Sequence, residues 1–272
     1  MRAFVAVATA SLLSSCTATL LYQPQVLVSP YLATYQLRGT TALQSDPGGG
    51  LPPIDNPPQT MRTFGQDHHR EDIAVRADVG DGFAGLRLDY YRLDQGTAHT
   101  GVLDGGWGSL QPTDVVRMDA EMDEVRLGYL EPLFRSSAKW REEPLVFEFA
   151  AGGVIAYRSM MLRAQTDDGA TQQNVQIDGN NFYPAVRCRV SWRNAAFDVD
   201  YAISPHLEFT GDFEGVQHDL ELRASYTLPM RDITFFGGYR YSVLEAEGTV
   251  GALGYQADLR IDGFQFGLTV SF

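Results

Sequence analysis

Ten separate stretches of this chain place an apolar residue at every second position, and that period constrains the fold more than any other feature. The clearest is C-terminal, where Phe264, Phe266, Leu268, Val270 and Phe272 alternate with Gln265, Gly267, Thr269 and Ser271. Period two sends successive side chains to opposite faces of an extended strand. The same parity runs through Tyr31, Ala33, Tyr35 and Leu37, through Ile73, Val75, Ala77 and Val79, and through Leu86, Leu88 and Tyr90. It returns at Val125, Leu127 and Tyr129, at Leu145, Phe147, Phe149 and Ala151, and at Val186, Cys188, Val190 and Trp192. Phe197, Val199, Tyr201 and Ile203 carry it next, followed by Leu220, Leu222, Ala224 and Tyr226, and by Ile233, Phe235, Tyr239 and Tyr241. No stretch approaches the roughly 18 consecutive apolar residues that a membrane-crossing helix requires.

The intervening positions carry charge: Arg76, Asp78, Arg87, Asp89, Arg126, Glu148, Arg187, Arg189, Asp198, Asp200, Asp219, Glu221, Arg223 and Arg240. An arginine in mid-bilayer costs up to about 2–4 kcal/mol, so this face must turn toward a lumen or toward water. The opposite face is heavily aromatic, with tyrosines near the strand ends, as at a membrane interface. A soluble barrel with its apolar face inside, of the lipocalin type, is the competing arrangement. Large apolar residues are scarce on the charged face, which predicts a polar lumen.

A chain that ends on an alternating strand with a terminal Phe272 resembles the bacterial outer-membrane barrels, and the resemblance implies that this strand is read by the barrel-assembly machinery. Such barrels have an even strand number, short periplasmic turns and long external loops. The expected fold is an all-β, antiparallel transmembrane barrel of ten strands, with eight and twelve as the neighbouring even counts. Longer loops are expected at about 39–70, 95–119, 158–181, 205–215 and 246–254. Short turns are expected near Gly80, Arg193 and Pro229, with one longer connection at 131–143 that fits the alternation worst. The apolar parity switches between Ile261 and Phe264, which suggests a β-bulge at Gly263. Asp119, Glu121 and Asp123 share the parity of Val125 and are expected above the membrane.

The N-terminus has the order of an export signal: Arg2, an uncharged apolar run, then Ser14-Ser15-Cys16. Leu13-Ser14-Ser15-Cys16 looks like the lipobox of bacterial lipoproteins, which implies an acylated Cys16; cleavage after Ala18 is the alternative. The expected organisation is a signal at 1–15, a short linker at 16–25 and a single barrel domain at 26–272. Removing the signal takes away one arginine and no acid, leaving 20 basic against 34 acidic side chains, net −14. That balance argues against a nucleic-acid partner. Cys188 is the only other cysteine, so no disulfide framework exists. It shares parity with Val186, Val190 and Trp192 and is expected to face lipid.

Candidates for chemistry are few. His68-His69, beside Asp67, lies in a long loop, where adjacent residues point apart and make a weak metal signal. His218-Asp219 is similar to the histidine and acidic pairs of the omptin proteases, but their full constellation cannot be placed, and His206 has no serine set with it. Gly105-Gly106-Trp107-Gly108 follows no strand-helix pattern that would cradle a phosphate. No metal or cofactor is expected. A two-residue turn at Asn194-Ala195 would set Arg189 opposite Asp200, and Arg187, Glu148, Asp198, Asp219, Glu221, Arg223 and Arg240 would extend that pair into a mixed-sign network. The function expected is a non-enzymatic barrel of the Gram-negative outer membrane, structural or a narrow or plugged channel. Its partners would be membrane lipid, lipopolysaccharide and the assembly machinery. A barrel enzyme and a soluble ligand-binding lipoprotein are the alternatives, and oligomeric state leaves no mark on the sequence.

Overall fold

The computed structural model describes residues 25–66, 68–96, 99–204, 210–212, 216–229 and 232–272. Asp67, His206 and Cys16 lie outside them. Ten long strands form: β1 (Gln25–Leu43), β2 (Arg70–Gly80), β3 (Gly85–Gln95), β4 (Val115–Trp140), β5 (Glu143–Thr166), β6 (Gln172–Trp192), β7 (Ala195–Ser204), β8 (Gln217–Thr227), β9 (Ile233–Val250) and β10 (Leu253–Ser271). Each pairs antiparallel with its neighbours in the chain, and β10 pairs with β1, so the ring closes. Three two-residue strands decorate its rim, at 59–60, 101–102 and 210–211.

The register fixes the geometry of that ring. Stepping between partners from Gln25 through Gly80, Gly85, Leu130, Gly152, Ala185, Ala202, Asp219, Ser242 and Ile261 leads back to β1 at Leu37. The return is twelve residues beyond the start, the stagger a closed barrel needs. With a rise of about 3.3 Å per residue and a strand spacing of about 4.8 Å, the strands tilt by about 40°.

Several connections are shorter than the sequence suggests. The segment 131–143 is strand up to Trp140, and Arg141 and Glu142, with φ of 51° and 66°, form a two-residue hairpin turn. Both central residues at positive φ match the twist of an antiparallel pair. β5 runs on to Thr166 and β6 starts at Gln172, so the expected loop at 158–181 shrinks to 167–171. Val250 pairs with Leu253 where a loop at 246–254 was expected. The described residues of the connections 44–69 and 96–114 lie at the loop end and fold over the barrel mouth, and most of the expected loop at 205–215 lies outside the described residues.

The faces reverse along the barrel. In the half toward the turns, apolar side chains point out: Val75, Leu86, Leu88, Val125, Leu127, Ile155, Phe235, Phe264 and Phe266 are all exposed. In the half toward the loops, apolar side chains point in, where Met118, Met122, Met160, Leu162, Val175, Ile177, Leu244, Leu259 and Ile261 form a buried core. Two expectations are corrected by this. Tyr31, Ala33, Tyr35 and Leu37 face the interior, because most of them lie on the levels where the interior turns apolar. Gly263 is not a bulge, since the register with Thr34 to Leu37 and with Tyr239 to Ser242 is continuous. The apolar set changes parity there because it crosses from the inner core to the outer belt.

Candidate functional site

The site is the lumen itself. Tight turns fix its floor and folded loops its lid. At the turn end, the Asp81 carboxylate accepts hydrogen bonds from the amides of Phe83 (2.9 Å) and Ala84 (2.7 Å), and this turn tucks the Phe83 ring inside the barrel. The freed carbonyls of Gly82 and Phe83 are taken by Arg189 (2.9 Å) and Arg187 (2.6 Å). At the loop end, a short 3-10 helix, Met61–Phe64, is capped by Thr60 and ends on Gly65 at φ 79°. Its Phe64 stacks edge-on against Trp107 at 5.4 Å, and both are fully buried. Gly105 and Gly106 leave no room for side chains against Pro57 and Asn56. The Gly-rich stretch is therefore the packing surface of a lid.

Between floor and lid the lumen is crossed by ion pairs. Arg76 on β2 donates from both terminal guanidinium nitrogens to Glu221 on β8 at 2.8 Å, and Nη2 and Nε also donate to Asp89 at 2.9 Å and 3.3 Å. Tyr31 donates to the same Asp89 at 2.9 Å. Glu124 on β4 accepts from Arg126, Arg158 and Arg240, the last at 2.8 Å from across the barrel on β9. Asp219 on β8 accepts from Arg126, from Arg240 at 2.9 Å and from Ser242 at 3.1 Å. Nearer the floor, Arg87 joins Asp78 (2.6 Å) and Asp200 (3.2 Å), and Arg223 joins Asp198 (3.1 Å). Rings close over several of the cations: Arg240 lies 4.4 Å from the Tyr91 centroid and Arg158 5.3 Å from that of Tyr183.

Eight arginines and seven acids take part in these inward pairs, so the charge nearly cancels. That near-neutrality is what allows so many ions to be enclosed, since a buried charge without a partner is heavily penalised. A cavity of about 70 Å³ lies among them, and a vestibule of about 310 Å³ lies at the turn end. The first has room for a few waters.

The register of the β6–β7 hairpin differs from expectation. Trp192 pairs with Ala195, so the two-residue turn is Arg193-Asn194, with Arg193 at φ 54°. Arg189 therefore stands opposite Asp198 (2.6 Å) and Arg187 opposite Asp200 (3.1 Å), two residues out of step with the Arg189–Asp200 pair. Arg223, Asp219, Glu221 and Arg240 all lie in the network. Glu148 stands at its edge, opposite Arg189 in the register and 3.5 Å from the exposed Arg135. Glu124 and Arg158 are the nodes that sequence reasoning missed. Glu124 hides in an acidic run, and Arg158 follows Gly152-Gly153 in what reads as a loop; its alternation with Met160, Leu162 and Ala164 was the available signal.

His218 and Asp219 point to opposite faces: Asp219 enters the network, while His218 bonds the outward Tyr201 at 2.8 Å. They form no catalytic pair. His68 lies 6.5 Å from His99 at the mouth, ring to ring. Phe272 sits on the rim, exposed, with its amide on the Val26 carbonyl at 2.9 Å.

No family model and no curated protein matches the chain. Among solved structures, a FadL homologue of Pseudomonas aeruginosa is 6% identical, with 92% of this chain and 90% of that chain covered and a TM-score of 0.34. The toluene transporter TodX of P. putida is 8% identical over 94% and 92%, at a TM-score of 0.26. At such scores neither adds to the ten-stranded ring read from the register.

Proposed function

We propose that this protein is a transmembrane barrel of the Gram-negative outer membrane, non-enzymatic, with a lumen closed by its own side chains. The observation that carries the reading is the reversal of faces. An outward belt of Leu, Ile, Val and Phe encircles the half whose interior holds the ion pairs. Soluble barrels of the lipocalin type have the opposite arrangement, and an apolar belt of this extent is out of place in water. The belt is tallest on β10, where Phe264 to Phe272 cover nine residues of tilted strand, about 23 Å in height, close to the apolar band of such barrels, and is shorter on β3, where it runs from Leu86 to Tyr90. Above it, Arg92, Glu121, Asp123 and Arg38 point outward, as suits strands standing in water beyond the bilayer.

Ion pairs that tie opposite walls together narrow the lumen within the belt to a cavity of about 70 Å³, so the reading favours a structural or loop-presenting role over solute transport. The direct test is Cys188, which is exposed on the belt. In lipid vesicles a membrane-impermeant maleimide is expected to leave Cys188 unlabelled until the protein is unfolded, and the unheated protein should run faster on a gel than the boiled one. Rapid labelling of the folded, vesicle-bound protein would refute the membrane placement.

A further inference from the structure

The hairpin joining β4 and β5 overhangs β3 at the turn end. β3 pairs with β4 only as far as Gly85 and Leu130, while β4 and β5 stay paired to Trp140 and Glu143. Ten residues of β4 thus run beyond its last pair with β3, about 30 Å of free strand edge, while β5 stays paired with β6 down to Leu145 and Trp192, so that the tip alone outruns both neighbours. A register shift between Pro132 and Phe134 marks the departure, and such a bulge bends the strand.

Beyond it the outer face carries Phe134, Ser136, Ala138 and Trp140 on β4 and Glu143, Leu145 and Phe147 on β5. Phe134 and Trp140 are 58% and 48% exposed, and Leu145 and Phe147 continue the row on β5. This face is continuous with the belt above it. At the tip the Trp140 and Trp192 rings lie 5.1 Å apart, with Arg141 stacked over the first at 5.2 Å and Arg193 over the second at 4.8 Å, and Arg193 also pairs with Glu143 at 3.3 Å across an exposed edge. Aromatic rings backed by guanidinium groups suit a lipid headgroup zone, where rings settle among glycerol groups and cations reach phosphate. The free edge of β4 also bears Pro132, which has no amide to donate, and Lys139. Both discourage addition of a strand from another protein.

We propose that this hairpin is a membrane-surface foot: its outer face rests on the phospholipid headgroups of the periplasmic leaflet, with Arg141 and Arg193 on lipid phosphates. The inference rests on the membrane placement above, and its test separates the two. The chain has three tryptophans, and Trp107 is sealed in the lid, so quenching by lipid reports the other pair. In vesicles of phosphatidylglycerol and phosphatidylcholine brominated on the upper acyl carbons, most of the emission of Trp140 and Trp192 should be lost. The loss should vanish in the Trp140→Phe, Trp192→Phe variant. Arg141→Gln with Arg193→Gln should reduce quenching about twofold by weakening attraction to the anionic surface; an unchanged value overturns the phosphate contact. If Cys188 stays protected while iodide, and not brominated lipid, quenches the pair, the foot is wrong and the barrel stands. If Cys188 itself reacts, the membrane placement fails first.

Discussion

Glu124→Gln is expected to lower the stability of the folded barrel by about 3–5 kcal/mol, the usual cost of stripping one partner from a buried ion pair. Glu124 has no exposed surface and holds Arg126, Arg158 and Arg240 together. With its charge gone, the three guanidinium groups face one another with Asp219 as the remaining acid bonded to two of them. Glutamine keeps the shape, so the loss reports charge and not volume. The midpoint of urea unfolding, followed by the folded and unfolded gel bands, measures it. Glu143→Gln, which breaks an exposed 3.3 Å pair with Arg193, should shift that midpoint little, as surface pairs contribute at most about 1 kcal/mol. Equal shifts from both variants would mean that the lumen is wet enough to screen its own charges.

Trp107→Ala should cost a similar amount, about 3–5 kcal/mol, by a different route. This ring is the largest fully buried side chain and packs against Phe64 under the lid. Removing it leaves a cavity between the described residues of the loops 44–69 and 96–114, which are also tied by Asn56 to the Leu43 carbonyl at 2.6 Å, Ser45 to the Gly108 carbonyl at 2.7 Å, the Asp104 amide to Gln59 at 3.2 Å and the Gln66 amide to the carbonyls of Gln95 and Met118. The variant should therefore expose both loops to external protease while the strands stay intact. Loops cleaved no faster than in the wild type would show that the lid is held by something other than this ring.

Alternation made all ten strands legible, and the tight turns told the ends apart. Reading which face was which required more. Tyr31 to Leu37 and Leu259 to Ile261 have the same alternation as Phe264 to Phe272, yet point the other way. A single period cannot say whether its apolar set is a lipid face or a core, and this barrel uses it for both, at different heights. The parity switch at Gly263 was visible; what it marked was the level at which outside and inside exchange roles. Register was lost for a smaller reason: placing the β6–β7 turn one residue late moved every pair by two, turning Arg189–Asp198 into Arg189–Asp200. The cross-lumen pairs, Arg76 with Glu221 and Arg240 with Glu124, join strands distant in sequence, and no local pattern announces them. The same holds for the lid, where Trp107 lies in a run of glycines that reads as punctuation.

Whether those pairs close the lumen is the central question, and planar-bilayer recording addresses it most directly. Purified wild-type protein should insert without producing stable, porin-like current steps, because Arg76, Glu221, Glu124 and Arg240 bridge the lumen at the level of the apolar belt. Replacing Arg76, Asp89 and Glu221 together by alanine removes one crossing and every charge that Arg76 pairs with, and should yield small discrete openings. Large, long-lived conductance from the wild-type protein would contradict the filled lumen.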